Sequence, residues 1–227
     1  MDEVYEYCVR MLGAGALAIH ASHEAFVTGG SDRIDRMAGA VQACRSRAGE
    51  RGPRAGGSAG ADDGPGTLAD SVAREVADAA AQLPADQQEA MVLRDLVELS
   101  HQQIAQVLQI SPYAAGMLVA RARLALRARR RGVDEESDDS CGERERALTM
   151  VVRRQDREPL ASEDEDWVLE HLGSCEPCSR VHAAMLEASV CYRAWRTPDP
   201  AATRPGARAG AAGADGGPQD VVGDAVP

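Results

Sequence analysis

The chain of 227 residues carries 36 acidic against 25 basic side chains, a formal net charge of −11, and aromatics make up only 3% of it. That composition excludes one large mixed core and favours thin Ala/Leu helical bundles, while the acidity argues against a chain that coats nucleic acid along its whole length. No apolar run approaches the ~18–20 residues needed to span a bilayer, and neither a Gly-rich phosphate loop nor a Ser/His/Asp set points to an enzyme.

In chain order, residues 1–47 predict a small helical unit, and the Gly/Pro-rich stretch 48–66 predicts a flexible linker. Residues 67–132 form the second unit. Apolar residues at 68, 72, 76, 79, 80 and 83 make a helical stripe. After Leu83-Pro84, Asp86 with Glu89 predicts a capping pair for a second helix. Ser100 with Gln103 predicts a capping box for a third, whose apolar face is Ile104, Ala105, Val107 and Leu108. Three residues then separate it from a longer helix, with Ser111 as N-cap and Pro112 in the first turn, where the missing N–H costs nothing. A short acidic linker, 133–140, precedes a third unit, 141–196, and the Ala/Gly/Pro-rich stretch 197–227 reads as a disordered tail. The expected fold class is all-α: small helical domains joined by flexible linkers.

Charge is unevenly placed. Residues 61–100 hold nine acids against two arginines, and 134–170 hold fourteen against five, but His101–Val133 has six arginines and no acid. Local charge governs phosphate contact. A short helix, a tight turn and a longer basic helix together describe a helix-turn-helix. The candidate DNA contacts are Ser111 and Ala114 in the first turn, Tyr113 and Met117 on the front face, and Arg121, Arg123 and Arg127 behind them. The arginines lie toward the C-terminal half, where phosphate contact positions a protein without specifying sequence. Tyr113 and Met117 suit either a thymine methyl or packing against a partner. Gly116 weakens the helix by up to ~1 kcal/mol relative to Ala.

The sharpest chemical signal is His171, Cys175 and Cys178, a His-x3-Cys-x2-Cys spacing. Pro177 suggests a helix start, and a helix N-terminus favours the thiolate that binds metal. Tetrahedral Zn2+ takes four N/S ligands. Cys141 is the preferred fourth, and His182 the runner-up. Cys191, thirteen residues past Cys178 on the same helix, is too far to close the site. The acidic N-terminus lacks the basic start of a secretory signal, so a cytoplasmic protein with reduced thiols is expected.

Leu83–Arg127, with its Leu-Pro start, its Leu99-Ser100 step into Ile104-Ala105 and its closing Arg121-Ala122-Arg123, resembles region 4 of bacterial sigma factors, especially the extracytoplasmic-function group, group 4. The resemblance implies docking on RNA polymerase core and a last helix placed in the major groove of the −35 promoter element. Tyr5, Tyr7, Arg10–Gly13 and the segment Ser22–Val27 resemble a degenerate sigma region 2, the part that in the family binds the polymerase clamp and captures the −10 element. Its aromatic strand-capturing segment is absent, since Phe26 is the only Phe and no Trp precedes Trp167. Residues 141–196 resemble the zinc-binding anti-sigma domain, which in the family wraps sigma regions 2 and 4. Together these imply a sigma-like regulator of transcription, not an enzyme, with promoter DNA, polymerase core and a further sigma or anti-sigma factor as partners, and no membrane. A helix-turn-helix regulator outside the sigma family and a polymerase- or sigma-binding adaptor remain as alternatives.

Overall fold

The computed structural model describes residues 2–50, 68–133 and 140–195. Residues 51–66 of the predicted linker, 134–139 of the acidic linker and the whole predicted tail, 197–227, lie outside these residues. Among the described residues the secondary structure is ten α-helices and no strand, an all-α fold.

Three helices come first: α1 (Asp2–Leu12), α2 (Ala16–Thr28) and α3 (Arg33–Arg47). Gly13, at φ 85°, closes α1 and turns the chain, a left-handed backbone that favours glycine. The buried face of α2 is Ala18, Ala21, Ser22 and Ala25. These small side chains let α3 approach closely with Met37, Ala40, Val41 and Cys44. Asp32 caps α3 by accepting from the N–H groups of Arg33 and Ile34.

The middle helices are α4 (Leu68–Ala81), α5 (Ala85–Asp95), α6 (His101–Leu108) and α7 (Pro112–Arg131). Both halves of the Ser100–Gln103 capping box form. Gln109 takes the left-handed conformation at the end of α6, φ 59°, and Ser111 caps α7 by accepting from Ala114 N–H at 3.1 Å. The capping pair expected for α5 does not form: the N-cap is Pro84, without a side-chain bond. Glu89 is instead buried and bound by Arg45 of α3 at 2.6 and 2.9 Å. A fully desolvated carboxylate holds a guanidinium more strongly than a solvated helix end.

The last helices are α8 (Arg144–Gln155), α9 (Ser162–Ser174) and α10 (Glu176–Ala194). The unit expected from Cys141 opens its first helix three residues later, at Arg144, and Cys141 stands in the turn before it. All ten helices fall in one compact unit, Met1–Thr197. At its centre is α7, which packs against α4, α5, α6, α8 and α10. Its inner side is lined by Ala115, Val119, Ala122 and Leu126, each nearly inaccessible. At the far end, Arg10 of α1 lies over the Trp195 ring at 3.6 Å and its guanidinium bonds the Trp195 carbonyl. The first and last helices are thereby tied together by a cation–π contact.

Candidate metal centre and nucleic-acid interface

Three helix ends converge on one point. Cys141 precedes α8, His171 lies in the last turn of α9, Cys175 is the N-cap of α10 and Cys178 lies in its first turn. Their ligand atoms all fall within 4.8 Å of one another, and Cys141 Sγ is 3.6 Å from His171 Nε2. Ligands of a tetrahedral Zn2+ sit roughly 3.5–3.8 Å apart, given metal–sulfur and metal–nitrogen bonds of ~2.3 and ~2.0 Å. The donor set therefore fits a metal ion. Burial, together with hydrogen bonds that the Cys178 thiol donates to Cys175 and Cys141, pushes that thiol up to about 12. A metal ligand must be the thiolate, so a cation bound here would take up the charge that burial disfavours on Cys178.

Sequence reasoning missed the group that orients the imidazole. Trp167, one helical turn before His171 on α9, stacks on its ring at 4.8 Å between centroids and 14° between planes, and Arg146 lies over the indole at 4.0 Å. The i, i+4 spacing was the signal that could have found it. His182 stands outside the cluster, and Cys191 Sγ instead accepts from Arg130 of α7.

The helix-turn-helix formed by α6 and α7 is covered along the face expected to meet DNA. Tyr113 is half exposed and donates to Glu145 of α8 at 2.6 Å. Met117 is buried, with Thr149 of α8 donating to its sulfur at 3.7 Å. A Cβ on Gly116 would stand 3.1 Å from His101 Nδ1 and 3.6 Å from Val152 of α8. Ser111, Ala114 and Arg121 remain exposed or half exposed. A cleft of about 420 Å³ runs beside this seam, lined by Pro112, Tyr113, Gly116, Thr149, Val152 and Pro159, so α8 covers the front of α7 without sealing it.

Arg123 departs from the expected phosphate contact. It is wholly buried, its guanidinium held by Asp95 at 2.7 and 3.1 Å and by Asp156 at 2.7 Å. Asp95 ends α5 and also accepts from Ser189 and Arg193 of α10, at 2.8 and 3.0 Å. Asp156 follows α8 and meets His101 Nε2 at 2.8 Å and Arg94 at 3.2 Å. Burial works against its ionisation, yet His101, Arg123 and Arg94 hold the carboxyl well below the usual carboxylate range. These acids reach Arg123 from 28 and 33 residues away, which no local pattern reveals.

Arg127 is also engaged, at 3.0 Å from Glu187 of α10. The contacts expected to reach DNA thus divide into four groups: Tyr113 and Met117 against α8, Arg123 buried, Arg127 against α10, and Ser111, Ala114 and Arg121 exposed or half exposed. Among the described residues no helix is long and apolar enough to cross a membrane. No curated protein and no solved structure matches the chain. Residues 73–126, from the second turn of α4 to Leu126 of α7, match the family described as Sigma-70, region 4, so the helix-turn-helix supports a sigma-factor-like, DNA-binding role in transcription.

Proposed function

We propose that the protein is a sigma-like transcription regulator of the extracytoplasmic-function type, acting in the cytoplasm and held in check by its own C-terminal segment. Residues 67–132 serve as region 4 and bind polymerase core and −35 promoter DNA. Residues 1–47 serve as a reduced region 2, and 141–196 as a zinc-binding, anti-sigma-like segment. Zinc is held by Cys141, His171, Cys175 and Cys178 and fastens the start of α8 to α9 and α10. The observation that carries this reading is the packing of α8 on the front face of a helix similar to sigma region 4. A helix seated there and a duplex major groove compete for the same side chains.

A second reading has an observation of its own. Ala114, Gly116 and Met117 offer small or apolar contacts in place of hydrogen-bonding base readers, which suits an adaptor that binds polymerase or another sigma factor. Reconstitution of the full chain with core polymerase separates the two. On the sigma reading, removing the metal with a chelator raises affinity for a −35 duplex, and promoter-specific open complexes appear. Polymerase binding without promoter-specific initiation, with or without metal, would establish the adaptor instead.

A further inference from the structure

The C-terminal arginines of α7 are neutralised in an unusual way. On a solvated helix, arginines commonly find partners one turn away on the same helix. From His101 to Val133 there is no acid, so α7 has no such partner. Arg127, Arg130 and Arg131, spaced i, i+3 and i+4, share one side of the helix and converge on a single carboxylate, Glu187, brought by α10 from 56 to 60 residues away. Arg127 Nε is 3.0 Å from Glu187 Oε2, Arg131 Nη2 is 2.9 Å from Oε1 and 3.0 Å from Oε2, and Arg130 Nη2 is 3.5 Å from Oε1. Partial burial would raise the Glu187 carboxyl, but Arg131 and Arg127 hold it below its ordinary value.

Two features distinguish this cluster from the buried one around Arg123. It is hydrated: the Arg131 side chain is 51% exposed and Glu187 27%. Partly exposed ion pairs of this kind are individually weak and weaken further with salt, so the arrangement is exchangeable. It is also unbalanced, with one carboxylate facing three guanidiniums among the described residues. Guanidinium forks bind phosphate oxygens as readily as carboxylate oxygens, and a duplex backbone presents a row of phosphates where Glu187 presents one acid.

We infer that Arg127, Arg130 and Arg131 form a row that grips the phosphate backbone of duplex DNA, and that Glu187 is a built-in stand-in for phosphate that occupies the row when α10 is docked. Backbone binding and α10 docking at this end then exclude one another. The inference rests on the proposed role of α7 in approaching DNA and names how that approach is regulated. The front face is closed by shape, and the basic end is closed by a replaceable charge.

The test uses the full metal-loaded chain and a duplex of arbitrary sequence, without polymerase, followed by fluorescence anisotropy at several salt concentrations. Glu187→Gln keeps the shape of the side chain and frees the arginines. It is expected to tighten duplex binding about tenfold at low salt and to steepen the salt dependence by about two phosphate contacts, each contributing ~0.9 to the log–log slope. Adding Arg127→Gln, Arg130→Gln and Arg131→Gln to that variant should return binding to the parent level. Unchanged binding by Glu187→Gln overturns the inference, and so does a gain that survives loss of the three arginines, because that gain would come from the front face. Hydrogen exchange gives an independent readout in the unaltered chain: duplex should speed exchange in the second half of α10, and no change there would count against the exclusion. Since no promoter and no polymerase is present, a failure of sigma activity leaves these results standing, and promoter-specific initiation does not rescue them.

Discussion

The two helices that sheathe α7 do so by opposite chemistry. Against its front half, α8 brings Thr149 and Val152 to Met117 and Gly116, with side-chain bonds from Thr149 to the Met117 sulfur and from Tyr113 to Glu145. Against its back half, α10 brings Glu187 to three arginines. The first seam depends on fit, is short-ranged and is insensitive to salt. The second depends on charge and yields to any stronger polyanion. Between them, the buried pairs of Arg123 with Asp95 and Asp156 belong to both seams, since Asp156 follows α8 and Asp95 holds Ser189 and Arg193 of α10. The difference teaches that one helix can be covered twice, once by shape and once by charge, around a shared ionic pin.

Breaking both seams together should have the largest effect. Metal binding to structural zinc sites supplies apparent free energies on the order of 10 kcal/mol, and here the four donors fasten the turn before α8 to α9 and α10. Cys175→Ser is expected to abolish stoichiometric metal content and to loosen α8, α9 and α10 more than α1 to α3, which do not reach the cluster. Trp167, stacked on His171, reports the change: its fluorescence should shift on chelation in the parent and be insensitive to chelator in the variant. Undiminished zinc content would remove Cys175 from the ligand set.

Removing the pin alone comes next. Asp156→Ala leaves His101 without its carboxylate and Arg123 with Asp95 alone, and losing buried hydrogen bonds to a charged group of this kind costs about 1.5–3 kcal/mol. Denaturant unfolding should show it. The pH dependence follows from the depressed Asp156 pKa. A carboxyl whose folded pKa lies below its unfolded value of about 3.9 contributes full stability above that value and loses it as pH falls further. The gap between parent and variant should therefore hold from neutral pH to about pH 5 and narrow only in stronger acid. A gap that closes near neutrality would overturn the assignment of this pH dependence to Asp156.

What was legible in the sequence was what local chemistry encodes. The box of Ser100 and Gln103 and the cap of Ser111 with Pro112 each depend on neighbours within four residues, and both form as expected. The spacing of His171, Cys175 and Cys178 reads the same way, and Cys141 joins them in space. What was not legible depends on partners distant in the chain. Arg123 has the sequence setting of a phosphate-binding arginine, yet Asp95 and Asp156 enclose it. Glu89 has the spacing of a capping residue, yet Arg45 of α3 draws it away. The poor set of base readers on the front of α7 was visible as an oddity, and only the position of α8 gives it a physical reason.

The smallest effect bears on that oddity. In isolation, Gly116→Ala should stabilise α7 by up to ~1 kcal/mol through helix propensity. In the folded chain the new methyl would meet His101 at 3.1 and 3.3 Å and Val152 at 3.6 Å. Val152 is at ordinary contact distance, so the resistance comes from His101. That ring is buried, and its Nε2 bond to Asp156 at 2.8 Å keeps it from swinging aside. Crowding a packed interior by one methyl costs roughly 1 kcal/mol or more, so the two contributions nearly cancel and Gly116→Ala should leave stability within about 1 kcal/mol of the parent. In a His101→Ala background the obstruction is gone, and the same substitution should stabilise by about 1 kcal/mol. A double-mutant cycle on unfolding free energies reads the difference. If Gly116→Ala stabilises equally in both backgrounds, the close approach does not constrain position 116. If the coupling appears, the glycine that weakens this helix as a DNA reader is there because His101, pinned by the residue that ends α8, fills the space a side chain would need.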